Sequence, residues 1–389
     1  MGSWGPKMLR CGESVALYVH VPFCRARCAY CDFNTYAGLE ALMPPYVAAV
    51  CQEIRSSGER WGFAKVSTVY FGGGTPSVLP LHLLAKVSQE MRRVFRVSRD
   101  AEITLEANPG TVTQAYLLGL RELGVNRLSL GVQSAHDDEL CFLGRIHTWA
   151  QAVEAVGAAR AAGFDNLNLD FIFGLPGQTL ARWRETLEAG VALGPEHLSL
   201  YGLTVEEETP LHGRIAGGKV LPPDQDLAAE MYTLAERVLA EAGFFHYEIS
   251  NWAQASRYVC RHNLTYWRND PWLGVGAGAH SWLDGRRWGN VRHPEAYIAA
   301  WQRGDTAVDE IETIDRALEM GETMMLGLRT AEGVDTSRFR ARFGIGLEAA
   351  FGEQLTQLRN LGLVRWDGHT ARLTARGRLL GNQVFMVFV

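Results

Sequence analysis

No run of apolar residues in this chain approaches the ~18 that a membrane-crossing helix requires, and the opening MGSWGPKMLRCGESVALYVH lacks the apolar core of a secretory leader. Both absences place the expected protein in the cytoplasm. Concentrated positive charge is missing too: 38 lysines and arginines are scattered among 43 acidic residues, leaving a net charge of -5. That balance gives no electrostatic footprint for wrapping nucleic acid or lying on an anionic bilayer. Cysteines are few and odd in number, seven in 389 residues, so a disulfide framework is not expected of a cytoplasmic chain. Cys11, Cys51, Cys141 and Cys260 stand alone, and each reads as a small buried hydrophobe. Apolar side chains are plentiful at 47%, enough for one large core and a smaller one.

Short apolar runs alternate with longer amphipathic stretches over the first half of the chain. ALYVHVP (16–22), STVYFGG (67–73), EITLEAN (102–108), RLSLGVQS (127–134), NLNLDFIFG (166–174) and HLSLYGLT (197–204) read as six buried strands. Helical patterns separate them, with Gly or Pro at most junctions. The alternation implies parallel strands with crossover helices in an α/β fold, and its unbroken repetition favours a partial (β/α)6 barrel of TIM type over a doubly wound sheet. The expected domains are an extension at 1–15, the barrel at 16–245, an aromatic and Gly-rich segment at 246–306 closing it as a lid or wall, and a mainly helical unit at 307–389. In the last, GLVRWDGHTARLT (362–374) reads as a hairpin before a final helix, the pattern of a winged-helix module.

Polar signals collect where these strands end. Three cysteines, Cys24, Cys28 and Cys31, follow the first strand, GGGTP follows the second, and Glu106, Gln133 and Asp170 lie at or near the ends of the next three. The carboxyl ends of parallel strands share one rim, where active sites of such barrels form. The three thiolates sit at spacings of four and three with no fourth cysteine nearby. A structural zinc site is usually closed by four side chains, so zinc would have to recruit His20 or a distant cysteine. A cubane iron–sulfur cluster held by three thiolates instead leaves one iron open to an external ligand, which is a chemical function.

The string YVHVPFCRARCAYCDF (18–33) followed by FGGGTP resembles the radical S-adenosylmethionine enzymes. With EANPG, GVQS, RIH and GLPGQT in order it is similar to the oxygen-independent coproporphyrinogen oxidase group, and within that group to the HemW-type heme chaperones. Two departures from the oxidases point to the chaperone branch: Phe33 stands where they carry a further cysteine, and only a short segment precedes the first strand. HNLTYW (262–267) matches a motif typical of that branch. The resemblance implies a [4Fe-4S] cluster on Cys24, Cys28 and Cys31, whose open iron takes the amino and carboxylate groups of S-adenosylmethionine.

By the same resemblance Gly73, Gly74 and Thr75 line the methionine and ribose, Tyr30 meets the adenine, Tyr18 is a further contact, and Glu106 holds ribose hydroxyls. Gln133, Arg145 and Asp170 match positions that bind a second S-adenosylmethionine in the oxidases, and His262 becomes a candidate heme contact. The residues alone allow plainer roles: a tight turn for the glycines, core aromatics for the tyrosines, a loop brace for Glu106 and a satisfied wall for His262. The implied function is a heme carrier delivering heme to apoproteins, some at the membrane, with an electron donor for the cluster and no nucleic acid. The competing readings are a coproporphyrinogen oxidase that decarboxylates propionates by radical chemistry, and a zinc-stabilised winged-helix regulator. Phe33 and HNLTYW favour the first reading, and the acidic balance disfavours the last.

Overall fold

The structure, a computed structural model, describes residues 14–61 and 65–389. Cys11 and most of the amino-terminal extension lie outside the described residues. The six expected strands form as β1 (Ser14–Val21), β2 (Lys65–Gly73), β3 (Arg96–Ala107), β4 (Arg127–Gln133), β5 (Leu167–Phe173) and β6 (His197–Gly202). They pair in sequence order and in parallel. Such strands are covered on both faces, which is why their sequences are nearly continuous apolar runs. Leu128, Leu130 and Val132 of β4 and Leu167 and Leu169 of β5 are fully buried on the helix side.

The crossovers are α1 (Met43–Trp61), α2 (Leu81–Val94), α3 (Gln114–Glu122), α4 (Asp137–Leu143) with α5 (Trp149–Ala161), and α6 (Leu180–Ala192). Their sequences specify both the buried stripe and the start. In α2, Leu83, Leu84, Val87, Met91 and Val94 face the core at helical spacing. Thr148 and Gln151 close a reciprocal capping box at the head of α5. Beyond β6 come the short α7 (Pro210–Ala216) and α8 (Gln225–Glu241), the latter capped by the Asp224 side chain.

The aromatic and Gly-rich segment at 246–306 forms a wall rather than a lid. Residues 245–304 supply β7 (Phe245–Glu248), β8 (Asn251–Ala253), α9 (Arg261–Trp267), β9 (Trp272–Val275), β10 (His280–Leu283), β11 (Arg286–Asn290) and α10 (Pro294–Gln302), and β12 (Val308–Thr313) follows. These strands extend both edges of one twelve-stranded sheet, in the order β12-β11-β10-β9-β1-β2-β3-β4-β5-β6-β8-β7. β9 runs parallel to β1, whereas the outer strands pair antiparallel. Within this segment Trp288 stacks on Trp61 of α1 at 5.9 Å.

The carboxyl-terminal unit holds α11 (Arg316–Gly327), β13 (Val334–Asp335), α12 (Thr336–Phe343), α13 (Leu347–Asn360), β14 (Val364–Trp366), β15 (Thr370–Leu373), α14 (Ala375–Leu379) and α15 (Gly381–Phe385). The expected hairpin is β14–β15, and β13 adds a third strand to it. This unit has its own core around Leu328, Phe339, Leu355 and Val384. It is joined to the barrel by the Ile249 amide on the Arg329 carbonyl at 3.1 Å and by an ion pair of Arg378 with Glu236 at 2.6 Å. No helix among the described residues is long and apolar enough to cross a membrane.

Candidate functional site

The loop leaving β1 carries the three cysteines and is fixed from both sides. Phe23–Cys24 pairs with Tyr36–Ala37, and the Cys31 amide donates to the Cys28 carbonyl at 3.3 Å. The Ala29 amide donates to Leu143 O at 3.0 Å, while Ala29 O accepts from the Leu211 amide at 2.8 Å, so the ends of α4 and α7 clamp the loop. Polar side chains lie against each sulfur: Thr75 Oγ1 at 3.5 Å from Cys24, Arg145 Nη1 at 3.4 Å from Cys28, and Thr35 Oγ1 at 3.9 Å from Cys31 and also near Cys24. All three cysteines line one cavity of about 390 Å³.

Burial pushes the Cys24 and Cys31 thiols up, so bound cations would be needed to hold them as thiolates. Among the described residues no three His, Cys, Asp or Glu side chains gather around a single ion. The thiols rim a space large enough for a polynuclear centre. His20, which a zinc site would need, is engaged elsewhere: Nδ1 accepts from Tyr18 OH and Nε2 donates to Asn34 O, both at 3.0 Å. Burial holds its pKa down to about 4.

The glycine turn packs directly on this loop. The Gly74 amide donates to Val21 O at 2.9 Å and the Thr75 amide to Phe23 O at 2.8 Å. A Cβ on Gly74 would lie 3.0 Å from Cys24 Sγ, and one on Gly73, whose φ is +114°, would lie 2.5 Å from the His20 ring. Gly73, Gly74 and Thr75 all line the cavity. The glycines therefore serve close packing of the chain on itself as well as access to the cavity.

Glu106, Gln133, Arg145, Asp170 and Tyr30 line the same cavity. Glu106 accepts from Tyr70 OH at 2.7 Å and from the Gly73 amide at 3.1 Å, which leaves each oxygen a further lone pair. Burial is the main cause that raises its pKa to about 7. Gln133 is held at φ 73°, uncommon for a residue with a side chain, where the β4–β5 register shifts. Its Oε1 is buried without a partner. Asp170 accepts from Ser129 Oγ at 3.0 Å and Asn168 Nδ2 at 2.8 Å, and burial raises its pKa.

Two expected contacts are not placed at the cavity. Tyr18 stands behind it, its hydroxyl on His20 and its ring stacked on Tyr70 at 6.3 Å. His262 is 1% exposed, and both ring nitrogens are engaged, Nδ1 with Thr68 Oγ1 at 2.9 Å and Nε2 with Tyr266 OH at 3.0 Å. Its ring stacks on Tyr70 at 5.0 Å. In this arrangement the imidazole presents no free nitrogen and supports Tyr70 from behind. Its neighbour Asn263 is the residue of the HNLTYW segment that reaches the cavity. Glu102 fixes that segment by accepting the amides of Arg261 and His262, each at 3.0 Å.

Sequence reasoning also missed Tyr70, Arg127, Ser129, Asn168 and Ser199, which form the cavity floor. The available signal was polar residues at alternate strand positions, Arg127 and Ser129 on β4 and Asn168 and Asp170 on β5, which share a face by the pleat.

With this geometry in view, comparison with known proteins is decisive. Residues 18–190 match the radical SAM superfamily, and residues 314–380 match the HemN C-terminal domain. The chain is 37% identical over 373 residues to the heme chaperone HemW of Bacillus subtilis, covering 96% of this chain and 98% of that protein. The chain belongs to the HemW family. Within that family it is also 36% identical to the heme chaperone HemW of Mycobacterium tuberculosis over 376 residues, 96% of this chain and 94% of that one. A mitochondrial radical S-adenosyl methionine domain-containing protein of Bos taurus is 37% identical over 84% of this chain and 70% of its own length. The solved structure of coproporphyrinogen III oxidase from Escherichia coli has the same fold, with a TM-score of 0.85 at 24% identity, covering 97% of this chain and 90% of that one.

Membership of the radical SAM superfamily implies a [4Fe-4S] cluster and S-adenosylmethionine, and the residues fit both. Three thiols face one cavity, a glycine backbone closes on the first of them, and Gln133 Oε1 and Arg145 Nε are buried there without partners.

Proposed function

We propose that the chain holds a [4Fe-4S] cluster on Cys24, Cys28 and Cys31 with S-adenosylmethionine beside it, binds heme, and hands heme to apoproteins. When bound, the cluster supplies a low-potential electron to the sulfonium. In this reading Gly73, Gly74 and Thr75 accommodate the methionine and ribose, and the free lone pairs of Glu106 accept from the ribose hydroxyls. Tyr30, packed toward Leu143, Ile172 and Leu203, offers an apolar face to the adenine. Gln133 and Asp170, farther along the rim, serve a second polar ligand in the same cavity.

The observation that carries the heme reading is the end-to-end match, 96% of this chain against 98% of a relative named a heme chaperone. The cavity adds support for a flat apolar ligand. Phe33, 64% exposed at the rim, and Tyr201, whose hydroxyl turns inward toward Ser199, both line it and offer aromatic rings to such a ligand. Arg27 lies at the same rim and can meet a heme propionate. The heme therefore sits at the mouth by Phe33, with the acceptor protein and an electron donor approaching from that side.

The test is an anaerobic incubation with reductant and S-adenosylmethionine, given either heme or coproporphyrinogen, followed by visible spectroscopy and product analysis. A stable heme absorption band with no release of carbon dioxide is expected. Conversion of propionates to vinyl groups would replace this function with that of an oxidase.

A further inference from the structure

Only one of the three sulfurs has a charged neighbour among its hydrogen-bonding side chains. Cys24 and Cys31 face the hydroxyls of Thr75 and Thr35, whereas Cys28 Sγ accepts from the guanidinium of Arg145 at 3.4 Å. The position of that cation is set by backbone. α4 ends at Gly144, whose φ is +74°; the Gly144 amide returns to Cys141 O at 3.0 Å and the Arg145 amide to Leu140 O at 2.9 Å. This is the left-handed helix end that satisfies the last carbonyls. The next carbonyl back, Leu143 O, accepts from the Ala29 amide beside Cys28, so the helix end and the cysteine loop move as one piece. The guanidinium is pinned at its other prong, where Nη2 donates to Gly131 O at 2.7 Å. A Cβ on Gly131 would come within 3.2 Å of that nitrogen.

We infer that Arg145 sets the reduction potential of the cluster by donating a charge-assisted hydrogen bond to the Cys28 thiolate. The inference rests on the cluster reading above and gives Arg145 a positioning and tuning role in place of contact with a second S-adenosylmethionine. One-electron reduction adds negative charge to the cluster and its sulfurs, so a cation donating to one sulfur stabilises the reduced form more than the oxidised one. Hydrogen bonds to cluster sulfurs and local charge are among the protein's main controls on such potentials. The two threonine hydroxyls act in the same direction, with less force because they carry no charge.

The experiment is a redox titration with dithionite as electron donor, followed by electron paramagnetic resonance, on the anaerobically reconstituted full chain without S-adenosylmethionine. Leaving out the sulfonium removes any effect of a weakened ligand site. Arg145→Met and Arg145→Gln are expected to lower the one-electron reduction equilibrium about tenfold, which is about 59 mV toward more negative potential, and Thr35→Val by less. A neutral variant with wild-type iron and sulfide content and an unchanged potential overturns the inference. If neither neutral variant takes up iron, Arg145→His decides: a potential that falls further below the wild-type value as rising pH removes the imidazole's charge supports the role, and a difference from wild type that does not change with pH overturns it. A wild-type chain that assembles no sulfide-containing cluster refutes the underlying reading instead.

Discussion

Tyr70 OH donates to Glu106 Oε1 at 2.7 Å, and this bond sets the floor of the cavity beside the glycine turn. Burial raises the Glu106 carboxyl from 4.5 to about 7. Between those values the folded chain keeps a proton that the unfolded chain has lost. Its contribution to stability is therefore complete below pH 4.5 and is gone once the pH has passed about 7. Ligand binding runs the other way, because ribose hydroxyls need the ionised acceptor. Affinity for S-adenosylmethionine, measured by calorimetry on the reconstituted protein, is expected to rise with pH through about 7. Glu106→Gln should flatten that profile and weaken binding about tenfold at the alkaline end, the loss of one hydrogen bond to a charged group.

Substituting any one of Cys24, Cys28 and Cys31 by Ala is expected to reduce bound iron and sulfide to background and to remove the visible absorption. Cys141→Ala is the control, since that thiol is exposed and does not line the cavity. Retention of a full cluster by Cys28→Ala would show that some other group is a ligand.

His262→Ala should leave heme affinity within about twofold while lowering stability by about 2–4 kcal/mol, through lost packing and two lost partners for buried hydroxyls. A heme titration and a denaturant melt separate the two effects. A large fall in heme affinity with little change in stability would restore the imidazole as a direct contact.

Phe33→Ala should weaken heme binding by about tenfold, the share of a phenyl ring's burial recovered from a partly exposed start. The same change should leave the melt nearly unaltered, because the ring is 64% exposed. Equal heme affinity in the two proteins would move the heme away from this rim.

The sequence made the barrel visible because its six strands are fully covered and so carry unbroken apolar runs, which few other elements do. The cysteine loop was equally plain, since three thiols at close spacing with no fourth cysteine nearby read as ligands of a centre that keeps one position open. The flanking strands were not, because β9 to β11 have only four or five residues each and mix Trp, His and Gly, so no period could emerge. The same composition left the role of His262 open. A histidine among aromatics suits a porphyrin pocket and a packed wall equally well, and only the partners of its two nitrogens separate them. Arg127 and Asn168 were hidden for a different reason. Their alternation with Ser129 and Asp170 puts them on a common face of each strand, but which face lines the cavity is fixed only by the neighbouring registers.

The most direct measurement is the metal and sulfide content of the protein reconstituted under strict exclusion of oxygen. Iron and inorganic sulfide in equal amounts, with a brown colour that bleaches in air, are the predicted result. Stoichiometric zinc without sulfide would contradict a centre built on three thiolates with an iron left open for the sulfonium.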